Sequence, residues 1–279
     1  MGSFTAADVK KLREETDAPM MECNAALKEA EGDLEKAKAI LREKGKAAAG
    51  KRAGRSTSAG VVAVAPSADG KTVGAVVLES ETDFVAKNED FIKIAQQIAE
   101  MYRDNDPSSD PMAVSANGTT VRDLVEGAVG KIRENIKVTK ALRVTSDQPI
   151  ATYVHHDKTK GAIVQLTGEA GAGSEAVRKI GVQIVSAPPE VINKEELPQD
   201  RIDAEIEIET QRAMNDGKPE NIARNIAQGR VNKEYIKKAV LMEQPFYADQ
   251  NRTVSQYLSE EAQGAKVAGF TYLAVGQSE

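Results

Sequence analysis

Val73-Gly74-Ala75-Val76-Val77-Leu78-Glu79-Ser80-Glu81-Thr82-Asp83-Phe84-Val85-Ala86-Lys87 joins an apolar run to a polar turn that carries an aromatic, and its first half decides the fold. Gly74 to Leu78 is short, apolar and valine-rich. Gly60-Val61-Val62-Ala63-Val64-Ala65 precedes it across the turn signal Ser67-Ala68-Asp69-Gly70, a pattern that predicts a β-hairpin. A helix follows, with Phe91, Ile94, Ala95 and Ile98 on one side.

The same order recurs downstream. Tyr153-Val154-His155, a turn at Asp157-Lys158-Thr159-Lys160 and the run Gly161-Ala162-Ile163-Val164-Gln165-Leu166 lead into a helix through Val177, Ile180, Val182 and Ile184. Gly74 to Leu78 superposes without gaps on the run that starts at Gly161, Gly161 to Gln165 with Leu166 following, which predicts two diverged hairpin-plus-helix units. The two part company after the second strand. One has Thr167-Gly168-Glu169-Ala170-Gly171-Ala172-Gly173-Ser174, and the other has Ser80 to Lys87 with its Phe. The scaffold therefore does not itself demand an aromatic at 84. Two readings of Phe84 stand at this point: a lid folded over its own core, or a probe aimed at something else. Asp83 either caps the next turn or anchors the loop.

Outward from this core, the N-terminal segment reads as three short helices. Val9 and Leu12 share a face of the first; Asp17 caps the second, with Pro19 near its start; Gly32 ends it and Asp33 caps the third. Met20, Cys23, Leu27 and Ala30 fall on one face of the second helix, so Met20 and the thiol are expected in the core. Met21 is rotated about 100° from that face and is either a partner contact or a peripheral side chain. Residues Arg42 to Ser56 hold Gly, Ala and basic residues and almost no large apolar side chain, the composition of a linker with partial helical character.

After Pro188-Pro189 and Pro198, Ile202, Ile206, Ile208 and Ala213 mark a charged helix. Asn215-Asp216-Gly217-Lys218-Pro219 marks a turn, and Ile222, Ile226, Val231 and Tyr235 mark a second helix. This predicts an antiparallel helical hairpin with a narrow apolar stripe. A helix near Val254 to Gln263 and a strand from Val267 to Val275 close the chain, the strand being placed to complete a sheet. The predicted class is α+β, with an N-terminal three-helix bundle at 1–45, a basic linker at 46–59, a core N-subdomain at 60–148 and the first part of a core C-subdomain at 149–199. A coiled-coil hairpin at 200–240 is inserted before the C-subdomain remainder and C-terminal module at 241–279.

The chain has 279 residues and a formal net charge of -6, which argues against general attraction to nucleic acid or an anionic membrane. One cysteine rules out an internal disulfide framework and suits a reducing cytoplasm. Met1 to Asp8 has no charged lead followed by an apolar stretch, so no secretory signal is expected. No apolar run reaches the length of a membrane span. His155 and His156 are the only histidines; neighbours on a strand point to opposite faces, so no metal pair is expected. No phosphate-binding glycine loop of either common type follows a strand. An enzyme is unsupported, and no cofactor is expected.

Val9-Lys10-Lys11-Leu12-Arg13-Glu14-Glu15-Thr16, Pro19-Met20-Met21-Glu22-Cys23-Asn24-Ala25-Ala26-Leu27 and Thr82-Asp83-Phe84-Val85-Ala86-Lys87 together resemble the bacterial elongation factor Ts family. The resemblance continues through Lys131-Ile132-Arg133-Glu134-Asn135-Ile136, Gly217-Lys218-Pro219 and Gln244-Pro245-Phe246, across essentially the whole chain. Three departures stand out: Arg133 occupies the Gly of the family's K-I-G-E-N-I, Asn24 replaces a Lys after the cysteine, and the residues after Pro245-Phe246 diverge.

The resemblance implies a ubiquitin-associated-like N-terminal bundle and a guanine-nucleotide exchange factor for elongation factor Tu, taken in its GDP-bound and nucleotide-free states. It implies that the loop Thr82, Asp83, Phe84 and Val85 enters the GTPase near its Mg²⁺, with Phe84 as wedge and Asp83 as polar anchor. Met20, Met21, Ile132 and His155 are further contact candidates. The expected setting is cytoplasmic, without membrane or direct nucleic-acid contact, and a higher-order complex with the partner stays open. The alternative is an RNA- or ribosome-associated protein that uses the basic stretch Arg42 to Arg55.

Overall fold

A computed structural model describes residues 4–16, 18–168, 175–262 and 265–277. It is an α+β protein that divides into two compact units: Met1–Ser67 with Val73–Val144 and Ala274–Glu279, and Ala68–Thr72 with Thr145–Leu273.

The first unit opens with α1 (Ala6–Thr16), α2 (Met20–Glu29) and α3 (Leu34–Arg52). Thr5 and Asp8 cap α1 reciprocally, and Asp33 caps α3 by accepting from the N–H groups of Glu35 and Lys36. Gly32, at φ 89, closes the turn after α2 with its N–H on the Leu27 carbonyl. Asp17 lies outside the described residues, and Pro19 stands at the N-cap of α2. Val9, Leu12, Cys23, Ala26, Leu27, Ala30 and Ala37 form the small core of the three helices. Met20 corrects the sequence expectation: it is 48% exposed. As the first residue of α2 it extends a turn beyond Cys23, past the end of the packed stripe.

Residues 46–52, read as linker, continue α3. Ala47-Ala48-Ala49 are the strongest helix formers available, and the helix packs against a later partner, α6 (Val121–Ile132). Gly45 and Gly130 allow the approach, since a Cβ on Gly130 would stand 3.3 Å from the Gly45 Cα.

The sheet of this unit has order β1-β2-β5, from β1 (Ala59–Pro66), β2 (Thr72–Ser80) and β5 (Ile136–Thr145). β1 and β2 are antiparallel, with Val61 opposite Leu78 and Ala63 opposite Val76. β2 is central and buried from Val73 to Ser80. Between β2 and β5 come α4 (Asp83–Ala86), α5 (Glu89–Asp104), the small hairpin β3 (Ser115–Ala116) and β4 (Thr119–Thr120), then α6. α5 lays Phe91, Ala95, Ile98, Ala99 and Tyr102 into the core. It closes onto β2 at Gly74, where a Cβ would fall 2.1 Å from the Ala99 carbonyl oxygen. α6 ends at Arg133, whose φ of 67 is left-handed, the position at which a helix ordinarily takes glycine. That explains the Gly in the family pattern at this place; Arg133 fills it without one.

The second unit contains β6 (Ala151–Val154), β7 (Lys160–Thr167) and α7 (Glu175–Ser186). Its sheet has order β10-β7-β6, completed by β10 (Lys266–Ala274). The two segments that superpose in sequence are thus the middle strands, β2 and β7, of two three-stranded sheets, each with a helix against it. Here the close approach uses a helix glycine: a Cβ on Gly181 would meet the Tyr153 Cβ at 2.7 Å. Residues 169–174 of the second loop lie outside the described residues.

α8 (Gln199–Asn215) and α9 (Glu220–Arg230) pair around Gly217, at φ 82, and the chain continues through a π-helical stretch, Val231–Ile236, into α10 (Lys237–Ala239). The seam differs from the expected isoleucine stripe. Ala213, Ala223 and Ala227 are buried, whereas Ile208 and Ile222 are exposed. Buried Ile202, Thr210 and Ala213 and half-buried Ile206 hold a 3–4 spacing along α8; Ile208, two residues from Ile206, is turned about 200° away. β8 (Pro245–Phe246), β9 (Asp249–Thr253) and α11 (Val254–Glu261) lead to β10. Gln263, expected at the helix end, is outside the described residues.

Candidate functional site

Ser80 ends β2 and Thr82, in extended conformation, stands at the N-cap of α4. Every polar backbone and side-chain group of Thr82 is engaged. Its N–H donates to Glu134 Oε2 at 3.0 Å and its hydroxyl to Glu134 Oε1 at 2.6 Å. Its carbonyl accepts from the Ser80 hydroxyl at 3.0 Å and from the Ala86 N–H. Glu81 returns the contact, since its Oε1 accepts from the Asn135 N–H at 2.6 Å. Residues 81–82 and 134–135 therefore clasp each other through two carboxylates aimed at two backbone amides. The Asn135 N–H, followed by the Arg55 guanidinium, holds the Glu81 carboxyl below the usual carboxylate range.

At its far end α4 runs into Asn88, which caps α5 through the N–H groups of Asp90 and Phe91. Val85 and Ala86 pack inward on the core of the first unit. Phe84, one helical step from Val85, faces solvent at 83% exposure. The lid reading is thereby excluded: the ring covers nothing of its own fold. Asp83 accepts from Lys87 Nζ at 2.6 Å across an exposed pair, which lowers its carboxyl pKa. The bonds that fix the loop to the rest of the unit come from Thr82.

Met21 is 85% exposed on α2. Its neighbour Glu22 pairs with the Arg133 guanidinium. Adjacent residues Arg133 and Glu134, at the junction of α6 and β5, thus hold the segment bearing Met20 and Met21 and the segment bearing Phe84. Ile132, just before them, is half-buried against the core. Sequence reasoning gave Glu134 no role; its signal was its place between the Arg133 helix end and a strand, legible only once the partner loop is known.

His155 lies in the second unit. β6 stops at Val154, so the two histidines sit in a turn and not on a strand, and their rings approach to 4.2 Å instead of pointing apart. His155 Nδ1 is 3.1 Å from Asp157 Oδ1. The Asp157 carboxyl is held down to about 2, chiefly by the Thr159 N–H. Among the described residues no group of three or more His, Cys, Asp or Glu is arranged to hold a metal ion. No helix among them is long and apolar enough to cross a membrane.

A cavity of about 490 Å³ lies between α3 and α6. Several of its charges are paired: Arg42 with Asp123 and Arg133 with Glu22 across it, and Lys38 and Lys44 with Glu15 and Glu29 beside it. The Cys23 thiol is buried and donates to the Ala18 carbonyl. In the first unit the exposed large hydrophobics among the described residues are Phe84, on its clamped turn, and the pair Met20 and Met21.

A family model described as Elongation factor TS matches residues 81–277. An elongation factor Ts of Aromatoleum aromaticum is 41% identical over 99% of this chain and 92% of its own length. One from Thiobacillus denitrificans is 40% identical over 99% and 93%, and one from Corynebacterium kroppenstedtii 37% over 99% and 100%. The chain belongs to the elongation factor Ts family, and its role lies in translation elongation.

Proposed function

We propose that this chain is a guanine-nucleotide exchange factor for elongation factor Tu, acting in the cytoplasm without chemistry of its own. The observation that carries the reading is Phe84, 83% exposed on a turn whose other groups are bonded or packed. In this reading the ring enters the GTPase beside its Mg²⁺, and the loop from Thr82 to Val85 displaces the ion. Because Mg²⁺ bridges protein and phosphate oxygens in such GTPases, its loss weakens GDP binding. The three N-terminal helices, the two sheet units and the helical hairpin then correspond to the family's layout of bundle, paired subdomains and coiled coil.

Burying one Phe yields about 1.5–3 kcal/mol, too little to offset tight nucleotide binding. The remainder comes from a wider interface to which Met20, Met21, Ile132 and His155 are assigned. Four of the cations in the basic stretch, Arg42, Lys44, Lys46 and Arg55, are each paired with a carboxylate, which counts against the RNA alternative. The test is release of fluorescent GDP from elongation factor Tu of the same organism, with and without this chain, after nuclease treatment. Acceleration that survives nuclease supports exchange. No acceleration refutes it, and a complex that vanishes with nuclease favours the RNA reading.

A further inference from the structure

α4 has four residues, far short of the roughly 12–15 that an isolated helix needs to persist in water. Its direction, and with it the direction of the Phe84 ring, is therefore set by whatever holds its ends. At the C-terminal end Val85 and Ala86 pack on the core and Asn88 begins α5. At the N-terminal end Ser80 of β2 donates to the Thr82 carbonyl, and the one side chain distant in sequence that bonds Thr82 is Glu134, which takes both its N–H and its hydroxyl. Glu134 lies 52 positions along the chain from Thr82. The reciprocal bond from the Asn135 N–H to Glu81 fixes the backbone on which Glu134 stands.

The geometry points to Glu134 as the positioning residue for Phe84: it aims the ring by clamping Thr82. This rests on the exchange reading above and adds to it the residue that makes the wedge rigid. A carboxylate suits the task because its two oxygens accept from two donors on the same residue at once. Charge-assisted bonds of this kind are among the stronger polar contacts.

The test is a double-mutant cycle on the full chain, with fluorescent-GDP release from elongation factor Tu as readout. Glu134→Ala, Phe84→Ala and the double variant are compared with the unaltered chain, and the thermal unfolding of each is followed by circular dichroism. Misplacing a group by about an ångström can cost roughly 100-fold, and the surviving C-terminal hold limits the expected loss for Glu134→Ala to about tenfold. In the Phe84→Ala background the same change is expected to cost less than about twofold, since no ring is left to aim. An equal loss in both backgrounds overturns the proposal, as does no loss in the first. Thr82→Val, which removes the hydroxyl from the opposite side of the contact, is expected to lose activity in the same Phe84-dependent way even if Glu134→Ala folds poorly. If the unaltered chain fails to accelerate release, the exchange reading falls and takes this one with it. If it accelerates and Phe84→Ala slows it, only the role of Glu134 is at stake in the cycle.

Discussion

Replacing Phe84 by Ala separates binding from folding unusually cleanly. In the free protein the side chain is 83% exposed, so truncation removes little buried area and the unfolding midpoint stays where it was. Full burial of a Phe is worth about 1.5–3 kcal/mol. Scaled by the share still exposed, about 1.2–2.5 kcal/mol remains to be gained against a partner, which is about 8- to 70-fold in rate or affinity. The assay is stopped-flow release of fluorescent GDP from elongation factor Tu across a range of exchange-factor concentrations. The expected result is a loss of catalytic efficiency inside that range with an unchanged melting curve. An efficiency within twofold of the unaltered chain would refute the wedge. A lowered melting temperature would show that the ring supports its own fold after all.

Three other outcomes follow from the geometry. Gly74→Ala places a methyl group 2.1 Å from the Ala99 carbonyl oxygen, so α5 must move off β2, at a cost of about 1–3 kcal/mol; an unchanged urea midpoint would contradict the packing. Arg133→Gly relieves a left-handed residue at φ 67, worth about 1 kcal/mol, and gives up an exposed ion pair with Glu22 worth about 0–1 kcal/mol. Stability should therefore hold or rise slightly, and a loss above about 1 kcal/mol would show that the pair outweighs the strain. Asp123 is held down to about 2 from 3.8 by the Thr120 N–H and hydroxyl and by Arg42. Its folded pKa lies below its unfolded one, so the unfolded chain binds more protons between them. The contribution is whole above 3.8 and fades as pH falls toward about 2. Asp123→Asn should flatten the stability profile in that interval, and an unaltered profile would remove Asp123 from acid sensitivity.

The strands and the two repeated hairpins were legible because period-2 patterns and an internal comparison need only the chain itself; the comparison singled out Phe84 but left its direction open, and the structure turns it outward. Gly74 and Gly181 mark places where sheet and helix meet, and such approaches show only in three dimensions. Met20 misled because helical phase says which side a residue faces, not whether its neighbours extend far enough to cover it. The hairpin seam misled similarly, since alanines at close helix contact bury better than the isoleucines beside them. The basic stretch after Leu41 looked like a linker because it lacks large apolar side chains, yet Gly45 and the alanines are what let α3 lie against α6. The clasp of Glu81 with Asn135 and of Glu134 with Thr82 joins residues more than fifty positions apart. Glu134 stands out only by its place between a helix end and a strand, and neither carboxylate names its partner until the chain is folded.

Exchange by a protein without its own chemistry is a statement about linked equilibria, and linkage has no adjustable part. The affinity of elongation factor Tu for GDP should be measured with and without saturating amounts of this chain. The affinity of this chain for elongation factor Tu should be measured with and without saturating GDP. Both affinities should fall, and by the same factor. A GDP affinity untouched by saturating chain would contradict the exchange mechanism at its root.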